Sequence, residues 1–252
     1  TILSFFYNYK LTYLSDSFTP KSFVSHAANV KVEKLAEVDM LPKLVNKCLL
    51  SPELAPLFEA QKDAQIEVFS ILTRVLDGEG LKKDSAVHGG RGYSGDYHFA
   101  WLGATTPVSS RVWRILGKLG NRMFFMQMNE KEKPNIEFKN EFLSSEVEYE
   151  EKVKICRKAM HSFLDKFFEK NKVRQTKWNR GQDNTNSFFD DIIEYARLLS
   201  SLRGALVVWK TGGAGGYSHT YEHTIPIKEG LYRAINALYN FARGHALLHD
   251  RN

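Results

Sequence analysis

The sequence predicts an α/β half followed by a helical half. Two observations carry that expectation. Over the first 128 residues, short apolar runs end in acids, prolines or small polar residues, and a helix-spaced apolar stretch separates two of them. From about Asn129 the chain becomes strongly charged, then reads as helix to its end. The composition excludes other classes. With 252 residues, 43% hydrophobic and 25% charged, it is neither collagen-like, low-complexity nor disordered. No run of about 18 apolar residues occurs, so no membrane span is expected. Cys48 and Cys156, the two cysteines, exclude a disulfide scaffold and a four-cysteine zinc site. A net charge of +6 permits a polyanionic partner without requiring one.

Residues 1–9 are apolar enough for a helix, and Leu11 to Leu14 reads as a short strand, broken by Pro20. Residues 42–50 look like a buried strand stopped by Ser51-Pro52. From Gln61 to Asp77 the residues Ile66, Phe69, Leu72, Val75 and Leu76 recur at helical spacing, and Asp77-Gly78 ends the helix. Glycines 89, 90, 92 and 95 mark 85–96, which includes His88, as an exposed loop or hairpin. Residues 97–102 read as a third strand, 109–119 as a helix and Met123–Met126 as a further strand. Residues 129–151 read as a charged linker or exposed helix start. Helices over about 150–170, 186–203 and 229–248 follow, with a flexible glycine loop over 211–216. The expected division is therefore an α/β core over 1–128 and a linker with a helical lid over 129–252.

The chemistry lies in the order of residues in the first half. Glu53 follows one strand, Thr105 and Thr106 follow another, and Arg122 precedes an expected buried strand. Ligands of open α/β sheets bind at the carboxyl ends of strands, where an acid and a hydroxyl converge. Phosphoryl transfer needs a group to orient water, a polar group near the γ-phosphate and a cation for the developing charge. Each residue also has a plainer reading. Glu53 suits a helix N-terminus, Thr105 and Thr106 suit a turn and cap, Arg122 suits a surface ion pair, and Arg233 suits a solvated helix face.

On these residues the segment from Leu49 to Phe125 resembles an AAA+ ATPase core, of the clade with a hairpin before the sensor 1 strand. Magnesium chelatase and the minichromosome maintenance helicases belong to that clade. The resemblance implies that Glu53 is the Walker B glutamate and a magnesium ligand, that Thr105 and Thr106 end the sensor 1 strand, and that Arg122 is an arginine finger. It further implies that Glu229–Leu238 opens a lid helix with Arg233 as sensor 2. Pro52 departs from the usual aspartate before the glutamate. The phosphate-cradling Walker A loop is expected just upstream of Thr1, with Thr1 a candidate magnesium-binding hydroxyl.

ATP and Mg2+ are the cofactors so implied, and a homo-oligomeric, hexameric ring acting on DNA is the implied assembly, with the 85–96 loop facing its pore. Arg91 and Tyr93 of that loop are candidates to touch a nucleic-acid backbone and stack on bases, against the plainer reading of a solvated loop. The expected compartment is the cytoplasm, a reducing interior. A second class of function is a nucleotide-responsive but catalytically weak scaffold for DNA or protein, which Pro52 favours. A third keeps the same engine for metal insertion or protein remodelling. His219 and His223 have the spacing of helical metal ligands, but the surrounding glycines and Pro226 argue against a helix there.

Overall fold

The computed structural model describes residues 10–25, 31, 34–85, 89–119, 122–128, 133–143, 146–171, 186–204, 206, 208–212 and 219–249. Thr1, the helix expected over 1–9, His88 and the glycines of 213–216 lie outside them. The elements begin with β1 (Thr12–Leu14), α1 (Pro20–Phe23), α2 (Leu35–Val38), α3 (Met40–Leu44), β2 (Cys48–Ser51), α4 (Ala55–Glu59) and α5 (Lys62–Leu76). Next come β3 (Gly80–Ser85), β4 (Gly89–Ser94), β5 (Ala100–Gly103), α6 (Ser110–Leu119), α7 (Asn135–Leu143) and α8 (Glu146–Asn171). The last are α9 (Asn186–Leu202), β6 (Val208–Gly212), β7 (His219–His223) and α10 (Leu231–Leu248). The fold is mixed α/β. By its contacts the chain divides into two compact units, Tyr13–Arg122 with Asn179–Asn252, and Met123–Trp178 with Thr1–Thr12.

In the first unit the strand order is β1-β2-β5, and β2 pairs with β5 in parallel, Leu49 opposite Trp101 and Ser51 opposite Gly103. A central parallel strand needs apolar residues on both faces, which Leu49 and Leu50 supply. The expected helix over 61–77 is α5. Its Val68, Phe69, Leu72 and Val75 are buried, as are Val112, Ile115 and Leu116 of α6, and the two helices pack together. Full burial of Phe69 and Leu72 contributes roughly 1.5–3 kcal/mol each. Gly78, at φ +79, takes the left-handed conformation that ends α5. Further along the chain α9 packs on α10, where Phe189 meets Tyr239 edge-on at 6.2 Å. The second unit carries α7 and α8.

Three expectations need correction. Residues 42–50 are not one strand, because 40–44 is helical and pairing starts at Cys48. Pro42 fits the first helical turn, where its missing donor is not needed. Asn46, at φ 57, then turns the chain into β2. Met123–Met126 is not a strand. Residues 122–128 are irregular and Met126 is 82% exposed. A four-residue apolar run does not distinguish strand from coil unless a neighbouring strand offers a ladder. Thr211 and Gly212 belong to strand β6 rather than to a loop, and Thr211 pairs with Thr220 across the hairpin. The hairpin expected over 85–96 exists but starts earlier, running from Gly80 opposite Ser94 to Ser85 opposite Gly89.

Candidate functional site at the carboxyl edge of the sheet

Because β2 and β5 are parallel and in register at Ser51 and Gly103, whatever follows each strand emerges at the same edge. Glu53 and Thr105 each lie two residues past that register pair. The backbone stitches the two tips together: Ala104 N–H donates to Ser51 O at 3.1 Å and Leu54 N–H donates to Ala104 O at 2.8 Å. Gly103 leaves room for this approach, since a Cβ there would come within 2.4 Å of Leu54 Cδ1. Gly103→Ala should therefore push Leu54 aside and cost about 1–3 kcal/mol, measurable as a lowered urea midpoint; an unchanged midpoint would refute the crowding.

The side chains at this edge differ in state. Glu53 is exposed, and one carboxylate oxygen accepts the Ala55 amide at 2.8 Å, a contact that fits the plainer helix-start reading. The Thr105 hydroxyl is buried and has no hydrogen-bond partner among the described residues, whereas Thr106 is exposed. A buried hydroxyl left unmatched costs about 1–3 kcal/mol. This unmatched hydroxyl and the Glu53 carboxylate follow paired strands at one edge of the sheet.

Arg122 lies elsewhere. Its guanidinium forks onto Asp77, Nε to Oδ1 at 3.0 Å and Nη2 to Oδ2 at 2.8 Å, with its side chain only 11% exposed. The neighbouring Gly78 carbonyl accepts the Tyr97 amide, which precedes β5, so this pair sits at the amino end of that strand, away from Thr105. Arg233, in the first turn of α10, belongs to a second cationic group. There Arg203 pairs with Glu229 at 3.2 Å, the two side chains being 12% and 2% exposed. Burial first, and then the positive fields of Arg233 and Arg122, hold the Arg203 guanidinium below its usual value, while Glu229 opposes the shift. Three arginines thus share one field. Sequence reasoning missed Arg203 and Glu229, because a cation ending one helix and an acid just before another give no local signal of pairing across 26 residues.

In the β3–β4 hairpin, Tyr93 donates its hydroxyl to Asp39 at 2.8 Å, and Asp39, itself buried, also accepts the Ser25 amide at 2.9 Å. Lys83 Nζ donates to Pro20 O at 2.8 Å, and Arg91 stands directly opposite Lys83. Burial and the Asp39 carboxylate push the Tyr93 phenol well above the usual tyrosine value. The folded state therefore holds that proton more tightly than the unfolded chain does. The associated stability is complete below the ordinary tyrosine value near pH 10 and is lost above it. Urea midpoints at pH 9 and pH 11 should differ more for the parent chain than for Tyr93→Phe; equal differences would remove Tyr93 from this role.

Among the described residues no group of three or more His, Cys, Asp or Glu side chains gathers to hold a metal. His219 and His223 lie on strand β7, where positions four apart are separated by about 13 Å, too far for one ion. Burial raises the Cys48 thiol above its usual value, which suits a packing role rather than a nucleophile. No described helix is long and apolar enough to cross a membrane. No family model, curated protein or solved structure matches this chain.

Proposed function

We propose that the chain is the nucleotide-hydrolysing part of a cytoplasmic ATPase of the AAA+ kind, working on DNA as a homo-oligomeric, hexameric ring. The observation that supports this best is the juxtaposition of Glu53 with the orphaned, buried Thr105 hydroxyl at one edge of two parallel strands. ATP with Mg2+ would supply the reactive phosphoanhydride and the charge-neutralising ion there. One carboxylate suits such a site, because Mg2+ is commonly held by one or two carboxylates, phosphate oxygens and water. Glu53 would orient the water that attacks the γ-phosphorus and accept its proton as the bond to the leaving diphosphate breaks. Thr105 would donate to a γ-phosphate oxygen or to that water, with Thr106 at the rim. Thr1 remains the candidate for a further hydroxyl on the ion.

In this reading Arg122 is the finger for the nucleotide of a neighbouring subunit and Arg233 the lid sensor, while Arg203 is held by Glu229 behind them. The Asp77 carboxylate occupies the Arg122 fork within one chain, and a phosphate of the neighbour would replace it. Arg91 and Tyr93 of the hairpin would meet the DNA, with the Tyr93 hydroxyl held by Asp39. Arg122→Ala should lower turnover by about 10³-fold or more while nucleotide affinity stays within a few-fold. Normal turnover in that variant would take Arg122 out of the mechanism.

A second reading, a scaffold that senses nucleotide without turning it over, draws on Pro52 and on the Glu53 oxygen already held by Ala55. Phosphate release by the full-length protein, with and without single-stranded and duplex DNA, separates the two. Steady release stimulated by DNA supports the engine; nucleotide binding without release supports the scaffold.

A further inference from the structure

We propose that α8 from Lys152 to Lys170 is a nucleic-acid-binding face, distinct from the hairpin. Charge divides sharply along this part of the chain. From Asn129 to Glu151 eight acids face three lysines, whereas from Lys152 to Lys170 six lysines and arginines face only Asp165 and Glu169. Lys154, Arg157, Lys158 and Lys166 are all exposed, and none makes an ion pair among the described residues. A helix that carries unopposed cations along one stretch is repaid for their mutual repulsion when it meets a polyanion.

Shape and spacing agree with that partner. Arg157, Lys158, His161, Ser162, Asp165 and Lys166 share one open face of the helix. Lys154, Lys158, Ser162 and Lys166 follow one another at four-residue steps, about 6 Å apart along the axis. Two phosphate steps on one strand of a duplex measure about 6.8 Å. Three lysines spread over about 18 Å of helix thus match a run of phosphates without any base contact. An anionic membrane fits less well, because an interfacial helix needs a free apolar stripe. Here Val153, Met160, Leu164, Phe167 and Phe168 are already half-buried, and the exposed Ile155 and Phe163 are two turns apart.

The proposal rests on the charge pattern and not on nucleotide hydrolysis, so each can fail alone. Anisotropy of a labelled 30-nucleotide DNA, single-stranded and duplex, measured with the full chain against salt, tests it. Losing three phosphate contacts should flatten the logarithmic salt slope by about 2.7 for duplex and about 2.1 for single strands. Between 50 and 200 mM salt the three contacts alone account for about a 40-fold loss of duplex affinity. The triple variant Lys154→Gln, Lys158→Gln, Lys166→Gln should show that smaller slope with an unchanged helical circular-dichroism signal. The matching triple arginine variant should bind like the parent, and Arg91→Gln should leave the α8 contribution in place. A glutamine variant with the parent's slope overturns the proposal, as does binding confined to vesicles containing phosphatidylserine. Should the glutamine variant lose helix, the triple variant Lys154→Ala, Lys158→Ala, Lys166→Ala decides, alanine being the best helix former: a flattened slope with helix intact supports the face, and the parent's slope refutes it.

Discussion

Glu53→Gln is expected to lower phosphate release by at least 10²-fold while leaving nucleotide affinity and stability nearly unchanged. The glutamine amide oxygen still accepts the Ala55 N–H, so the start of α4 is preserved. What disappears is the charge and the basicity that take a proton from water, an effect of about 10²–10⁴ in rate. The plainer role predicts the reverse pattern. If Glu53 only caps α4, glutamine changes nothing, and Glu53→Ala lowers stability by about 1 kcal/mol with turnover intact. Phosphate release and urea melts on the two variants, in the full-length protein, tell these outcomes apart. Normal turnover in Glu53→Gln would end the catalytic assignment.

Glu229→Gln is expected to be the most destabilising conservative change in the first unit, by about 3–5 kcal/mol. Arg203 and Glu229 are both nearly out of water, and removing one partner strands the other. The two halves are not equivalent. Arg203 lies in the positive fields of Arg122 and Arg233, so losing Glu229 leaves guanidinium groups repelling one another. Arg203→Met should therefore cost less than Glu229→Gln. The double variant Arg203→Met, Glu229→Leu should recover most of the loss, because a buried ion pair replaced by apolar groups is often neutral. Equilibrium urea unfolding of the three variants checks the order, and additive losses in the double variant would show that the two groups are not coupled.

The legible parts of the fold were those with local periodicity. The helix over 61–77 announced itself through Phe69, Leu72 and Val75 and through the glycine that ends it. The shared edge of Glu53 and Thr105 was also legible, since each follows an apolar run that ends in polar residues. The errors arose where partners decide. Met123–Met126 has the composition of a strand but pairs with no strand among the described residues. Met40–Leu44 is as apolar as a strand, yet it coils against its own carbonyls. Arg122 could be picked out as a cation, but its Asp77 partner, 45 positions away, could not be found from spacing. Arg203, Glu229 and Asp39 were invisible for the same reason: long-range pairing leaves no trace in neighbouring letters.

The anchoring of the β3–β4 hairpin has a mechanical consequence. Pinned partway along both strands, by Lys83 to Pro20 and by Tyr93 to Asp39, it cannot swing as a loose whisker. A load on its paired strands would pass through Asp39 to the short helices beside it, which lead into β2 and on toward Glu53. Stiffness at that hinge would let a load on one end of the unit alter the posture of a carboxylate at the other.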